Sequence, residues 1–205
     1  DDAELVKEHK FINNAVRRDN GQRNYVEKGL EDADENDLIL LSDLDEIPFL
    51  NKIDLRKIKN KIIIFEQLMC YYKFNLAIPN YKWFGTRACL KKNLKSPQWL
   101  RNIKARKYPF FRFDILFNQK KFNNINIIEQ GGWHFTNIKT PEEIYVKLNT
   151  FLHNVDFKIS GLKLEDIKKM VHEKKILYDH FADQKKVDRW NSAVVLEPLN
   201  ISVLP

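Results

Sequence analysis

The chain has only two cysteines among its 205 residues, Cys70 and Cys89, far apart and in no ligand-like spacing. That argues against a disulfide framework and a zinc site, and leaves two buried thiols as the expectation. No apolar run approaches the length of a membrane span, and the basic and apolar regions of a signal peptide are missing. Internal repeats, linkers and low-complexity tracts are missing too, so residues 1–205 are expected to form a single domain. The sequence opens on Asp1 rather than Met, which suggests a processed product or a fragment.

What is present suffices for a core. At 43% hydrophobic and 12% aromatic, a chain of this length buries roughly 70% of its unfolded surface. The net charge of +7 is uneven. Residues 1–50 hold 6 basic and 14 acidic residues, residues 51–125 hold 18 and 3, and residues 126–205 hold 11 of each. A basic middle of this kind suits an anionic ligand, an anionic membrane surface or a nucleic acid, or simply decorates a solvated face. No helix-turn-helix, zinc-finger or RNA-recognition signature accompanies it, so no nucleic-acid partner is expected. The expected location is the cytoplasm, with peripheral association at the inner face of a membrane as an option.

Helical spacing of apolar residues from Ala3 to Leu30 predicts two helices broken at Gly21. Leu38–Leu41 is a continuous apolar run, the pattern of a strand buried on both faces in a parallel sheet. Further strands are expected over Lys61–Phe65 and Ile125–Ile128, with a short helix around Asp54–Ile58 and a hairpin-like excursion within Glu66–Lys92. Ser96-Pro97 opens a helix to Ala105, Thr140-Pro141-Glu142-Glu143 opens another to about Leu152, a third spans Lys163–Glu173, and Val194–Leu196 reads as a last short strand. Alternating strands and helices give an α/β class.

The sharpest chemistry lies in Ser42-Asp43-Leu44-Asp45-Glu46-Ile47-Pro48. Side chains alternate along an extended chain, so Asp43 and Asp45 are expected to share a side and grip one cation beyond the strand's end. Carboxylate oxygens suit Mg²⁺ or Mn²⁺, which would bridge a diphosphate. A solvated acidic turn is the plainer alternative. A second block, Glu129-Gln130-Gly131-Gly132-Trp133-His134-Phe135-Thr136, joins a glycine pair, which lets backbone approach a ligand or turn sharply, to a stacking surface and an imidazole. A third holds Lys147, four residues after Glu143 and so suited to a helix-surface ion pair, followed by His153 and Asp156 past the expected helix end.

Ile39 to Pro48, preceded by the Arg23-Asn24 helix and followed in order by Gly132-Trp133-His134-Phe135-Thr136, Ile144-Tyr145-Val146-Lys147-Leu148 and Asp156-Phe157, resembles the family 17 glycosyltransferases. That family includes the β-1,4-mannosyl-glycoprotein N-acetylglucosaminyltransferase and bacterial and viral relatives. The resemblance runs from about Asn20 to Asp156. It implies a GT-A-like mixed sheet flanked by helices, a UDP-sugar donor, a glycan or glycoconjugate acceptor, a Mn²⁺ or Mg²⁺ ion and inversion at the anomeric carbon. Relatives carry a long stretch ahead of the acidic motif. Here about forty residues precede it, so the chain is expected to be the C-terminal part of a longer domain lacking its N-terminal strands.

Carried over by residue, the resemblance makes Asp43 and Asp45 the metal and diphosphate motif and His134 a metal ligand or diphosphate contact. The general base is sought among Asp156, Glu129 and Glu46. Trp133 is expected to stack on a sugar or shape its pocket, and Lys147 or Arg87 to add positive charge near the phosphates. The alternatives are a haloacid-dehalogenase-like phosphohydrolase with Asp43 as nucleophile, and a catalytically incomplete relative acting as a binding module. Ile47 and the lack of a later Asp-Asp pair count against the phosphohydrolase.

Overall fold

In a computed structural model, the structure describes residues 2–51, 54–57, 59–109, 115, 118, 120–150, 154–182 and 189–200. The protein is mixed α/β. Seven strands, β1 (Leu38–Leu41), β2 (Glu46–Pro48), β3 (Ile62–Tyr71), β4 (Leu76–Leu90), β5 (Ile125–Ile128), β6 (Gly132–Thr136) and β7 (Glu197–Pro198), form one sheet. Its order is β1-β4-β3-β6-β2, with β5 also on β3 and β7 also on β4. β5 and β6 run parallel to β3, whereas β1 and β7 run antiparallel to β4. Helices α1 (Asp2–Tyr25), α2 (Pro97–Asn102), α3 (Pro141–Thr150), α4 (Asn154–Ser160) and α5 (Leu164–His172) flank it. Among the described residues no helix is long and apolar enough to cross a membrane.

The chain divides into two compact units, Asp1–Gln67 with Phe84–Gly132, and Leu68–Trp83 with Trp133–Pro205. β3 and β4 give residues to both. In the first unit, successive β3 residues point to opposite faces. Ile62 and Ile64 pack with Cys89, Leu100, Ile103 and Ile125, while Ile63 and Phe65 pack with Ala88, Leu38, Leu40 and Ile128. In the second unit, Met69, Tyr71 and Ile78 meet Ile144, Leu148, Phe157, Ile167, Met170, Leu177 and Trp190. Both cysteines are buried free thiols, as expected, and burial pushes each pKa up to about 11.

Two helix starts match their sequence signatures. The Trp99 amide donates to Ser96 Oγ at 3.1 Å, with Pro97 at the first helical position. At α3 the Glu143 amide donates to Thr140 Oγ1 at 3.3 Å and the Thr140 amide to Glu143 Oε2 at 2.9 Å, a reciprocal capping box.

Several expectations need correction. α1 runs through Gly21, so one helix stands where two were expected. An isolated glycine weakens a helix without ending it. β1 is not a central parallel strand: among the described residues it pairs with β4 alone, antiparallel, and Leu38–Leu40 are half-buried. The strand buried on both faces is β3. α2 stops at Asn102 rather than Ala105, and the helix expected around Asp54 is a 3₁₀ turn over Leu55–Lys57, with Ile58 outside the described residues. Leu152 and His153 also lie outside them. Val195 makes only an isolated bridge to Lys175, and the last strand is Glu197–Pro198, paired with Ala77 and Leu76.

The glycine pair serves the backbone rather than a ligand. Gly132 has φ +137°, and a Cβ there would stand 2.1 Å from the Ile47 carbonyl oxygen and 2.9 Å from the Phe49 amide nitrogen. Backbone atoms cannot swing aside as a side-chain tip can. Gly132→Ala is expected to cost at least about 3 kcal/mol, combining overpacking with left-handed strain. Urea denaturation would read this as a lowered midpoint at unchanged slope, and an unchanged midpoint would refute it.

Candidate functional site

The acidic motif folds as a turn, because the Glu46 amide donates to the Asp43 carbonyl at 3.0 Å. Alternation along an extended strand therefore does not govern Asp43 and Asp45, contrary to the expectation. Ser42 Oγ donates to the Glu46 carbonyl at 2.8 Å and lies 2.6 Å from Thr86 Oγ1, fixing both ends of the turn.

Glu46 is turned inward, its side chain fully inaccessible. An ionised carboxylate there requires a cation and hydrogen bonds. Arg101, from α2, supplies both. Its Nη1 donates to Glu46 Oε2 at 3.1 Å and its Nη2 to Glu46 Oε1 at 2.7 Å, a two-pronged pairing. The same guanidinium reaches Asp43 Oδ2 at 2.7 Å and the Gly85 carbonyl at 2.8 Å. Arg23, from the last turn of α1, lies 3.6 Å from Asp43 Oδ1. Arg87 is buried beside this cluster. It donates to the Gly85 carbonyl at 2.9 Å, and burial, then the neighbouring Arg101, lower its pKa to about 10, leaving it charged at neutral pH.

The divalent cation implied by the resemblance does not fit this arrangement. Asp43 is already charge-neutralised by two arginines, and among the described residues no group of three or more His, Cys, Asp or Glu is disposed to hold a metal. Glu46 is likewise committed to Arg101, which removes it as a base within this arrangement. Arg87 faces carbonyl oxygens inside the fold, and Glu129 is exposed in the turn after β5.

The second unit holds the other group of expected residues. Asp156 lies in the first turn of α4, not in a loop, and pairs with Arg189 at 3.2 Å. His134, on β6, stacks on Trp83 of β4, with ring centroids 4.6 Å apart and planes 18° from parallel. His134 and Asp156 line one cavity of about 320 Å³ together with Tyr81, Trp83, Tyr178, Asp179, His180, Arg189 and Trp190. Trp133 is buried on β6, and Lys147 donates to Asn137 Oδ1 at 2.9 Å rather than forming the helix-surface pair with Glu143. Neither lines the cavity.

Sequence reasoning missed Arg101, Tyr178, His180 and Arg189. No local spacing links Arg101 to Glu46, 55 positions earlier, and the residues around His180 carry no motif. Comparison with protein-family models, curated proteins and solved structures finds no match. Function therefore rests on these residues.

His180 is packed among three tyrosines, with centroids 4.4 Å from Tyr178, 5.3 Å from Tyr81 and 5.8 Å from Tyr71. Its Nε2 is buried without a hydrogen-bond partner among the described residues. Burial, then the nearby His134, lower its pKa to about 4. At neutral pH it is an uncharged imidazole.

Two predictions follow from this geometry. Arg101→Met strands the Glu46 carboxylate and is expected to cost about 3–5 kcal/mol; adding Glu46→Gln should recover part of that loss in a double-mutant cycle, and equal stability of the single variant and wild type would refute the clamp. For His180, folded and unfolded states are both neutral above pH 6.5. Between there and about pH 4 the unfolded chain takes up the proton first, so stability falls on acidification. The window is worth about 3 kcal/mol. His180→Phe should flatten that part of the stability-against-pH curve, and an unchanged curve would count against a buried neutral ring.

Proposed function

We propose that this protein is a glycosyltransferase with a GT-A-like fold, moving a sugar, N-acetylglucosamine by the resemblance, from a nucleotide-sugar donor to a glycan acceptor. The observation that carries the reading is the cavity of the second unit. Sugars present both C–H faces and hydroxyls. Tyr81, Trp83, Tyr178 and Trp190 offer apolar ring surface, while Asp156, Asp179, His134, His180 and Arg189 offer hydrogen-bonding groups around it. A cleft that joins aromatic ring faces to convergent polar groups suits a small polar ligand with apolar faces.

Inversion proceeds by single displacement. The acceptor hydroxyl oxygen bonds to the anomeric carbon as the bond from that carbon to the donor's phosphate oxygen breaks, and the hydroxyl proton must go to a base. Asp156 takes that role. It lines the cavity, its side chain is 46% accessible, and Arg189 holds its orientation. The leaving nucleoside diphosphate carries the electron pair away, and Arg189 is the cation lining the cavity among the described residues. No step is routed through a metal. The phosphohydrolase alternative is less well supported, because Asp43, its nucleophile, is held by Arg101 and Arg23.

The test is transfer or hydrolysis of UDP-N-acetylglucosamine and of other nucleotide sugars. Asp156→Asn is expected to lower kcat by about 10²–10⁴-fold with little change in donor affinity. Activity should persist in EDTA. Full activity in Asp156→Asn would remove the proposed base, and no binding of any nucleotide sugar would remove the reading.

A further inference from the structure

The first unit carries a cationic surface that plays no part in the proposed chemistry. Two segments build it. The Lys104 amide donates to the Lys120 carbonyl at 2.8 Å, setting residues 104–109 beside residues 120–121. Tyr108 ties the two segments together, with the Arg106 guanidinium 5.8 Å and the Lys121 ammonium 5.9 Å from its ring centroid. Lys104, Arg106, Lys107 and Lys120 are exposed, and none of the four has an ion-pair partner among the described residues. Among the described residues these four exposed cations and Lys121 thus share one small surface, and neither segment carries an acid. Crowding like charges raises the free energy of the folded chain unless an anionic partner relieves it.

We infer that this surface docks on an anionic lipid bilayer through its headgroups. Four of the five cations are lysines, hydrated point charges on flexible stems, which suit a diffuse anionic plane. Arginine would dominate where phosphates are gripped in two-pronged fashion. Sequence-tolerant binding of single-stranded nucleic acid needs open aromatic faces on which bases stack, and the Tyr108 ring already carries Arg106 and Lys121. Each basic side chain near a charged bilayer contributes on the order of 1 kcal/mol, so the set as a whole gives reversible, salt-sensitive attachment. The inference is independent of the transferase reading, since it uses none of that cavity's residues.

Cosedimentation of the full chain with vesicles tests it. The vesicles are phosphatidylcholine alone, and phosphatidylcholine with about 30% phosphatidylserine. One combined variant, carrying Lys104→Gln, Arg106→Gln, Lys107→Gln, Lys120→Gln and Lys121→Gln, removes the surface. A second, carrying Lys73→Gln, Lys139→Gln, Lys158→Gln, Lys169→Gln and Lys174→Gln, removes the same charge from exposed positions of the other unit. The expected result is binding to the anionic vesicles only, weakened more than tenfold by the first variant and less than threefold by the second, and lost on raising salt to about 0.5 M. Equal weakening by both variants would reduce the effect to net charge and overturn the inference. So would failure to bind anionic vesicles, or displacement from them by a stoichiometric single-stranded oligonucleotide. Circular dichroism and melting of both variants establish that each is folded.

Discussion

Glu46 is a carboxylate with no access to solvent, and the first unit is arranged around making that tolerable. Arg101 meets both carboxylate oxygens and also reaches Asp43 and the Gly85 carbonyl. Gly85 has no side chain for a direct reason: a Cβ there would stand 2.0 Å from Gln67 Oε1 and 2.7 Å from the Glu46 carboxyl. The Gln67 amide in turn reaches Thr86, whose hydroxyl lies against Ser42. A polar interior of this kind is stabilising only when its members are all satisfied. Removing one partner costs more than the pair as a whole contributes.

That constraint changes what an acidic motif after a strand means. Read along the chain, Asp43, Asp45 and Glu46 are three carboxylates awaiting a cation. In the fold, the cation for two of them is the guanidinium of a residue more than fifty positions away. Sequence spacing identified a place where negative charge must be compensated, but it carried no information on whether a metal or an arginine does so. The distinction depends on where α2 packs, and α2 is located by apolar Leu100 and Ile103 rather than by any charged residue.

Much of the fold was legible for local reasons. The starts of α2 and α3 are written in contiguous residues, and the isoleucine run of β3 shows through because it is buried on both faces. The sheet's order was not legible, since a four-residue apolar run looks the same at an edge as at a centre and β1 sits at an edge. Gly131-Gly132 announced a close approach correctly in kind, yet the approaching partner is the β2 backbone rather than a ligand. Asp156 and His134 were visible from their blocks. Tyr178, His180, Arg189 and Trp190 were not, because the residues around them carry no motif and they meet His134 and Asp156 only in the fold.

The basic middle of the sequence separates into two roles that composition cannot tell apart. Arg87 and Arg101 are inside the first unit, their charge spent on Glu46, Asp43 and backbone carbonyls. Replacing either by a neutral residue would disturb folding before it disturbed any partner. Lys104, Lys107 and Lys120 stand in water with no ion pair among the described residues, and Arg106, equally exposed, lies only against the Tyr108 ring. Charges of the first kind are insensitive to salt because they are shielded from it, and those of the second kind are screened within about a Debye length of 10 Å at 0.1 M salt. A rise in ionic strength should therefore leave the fold nearly untouched while abolishing attachment, which is the behaviour that separates a structural cation from a recruiting one.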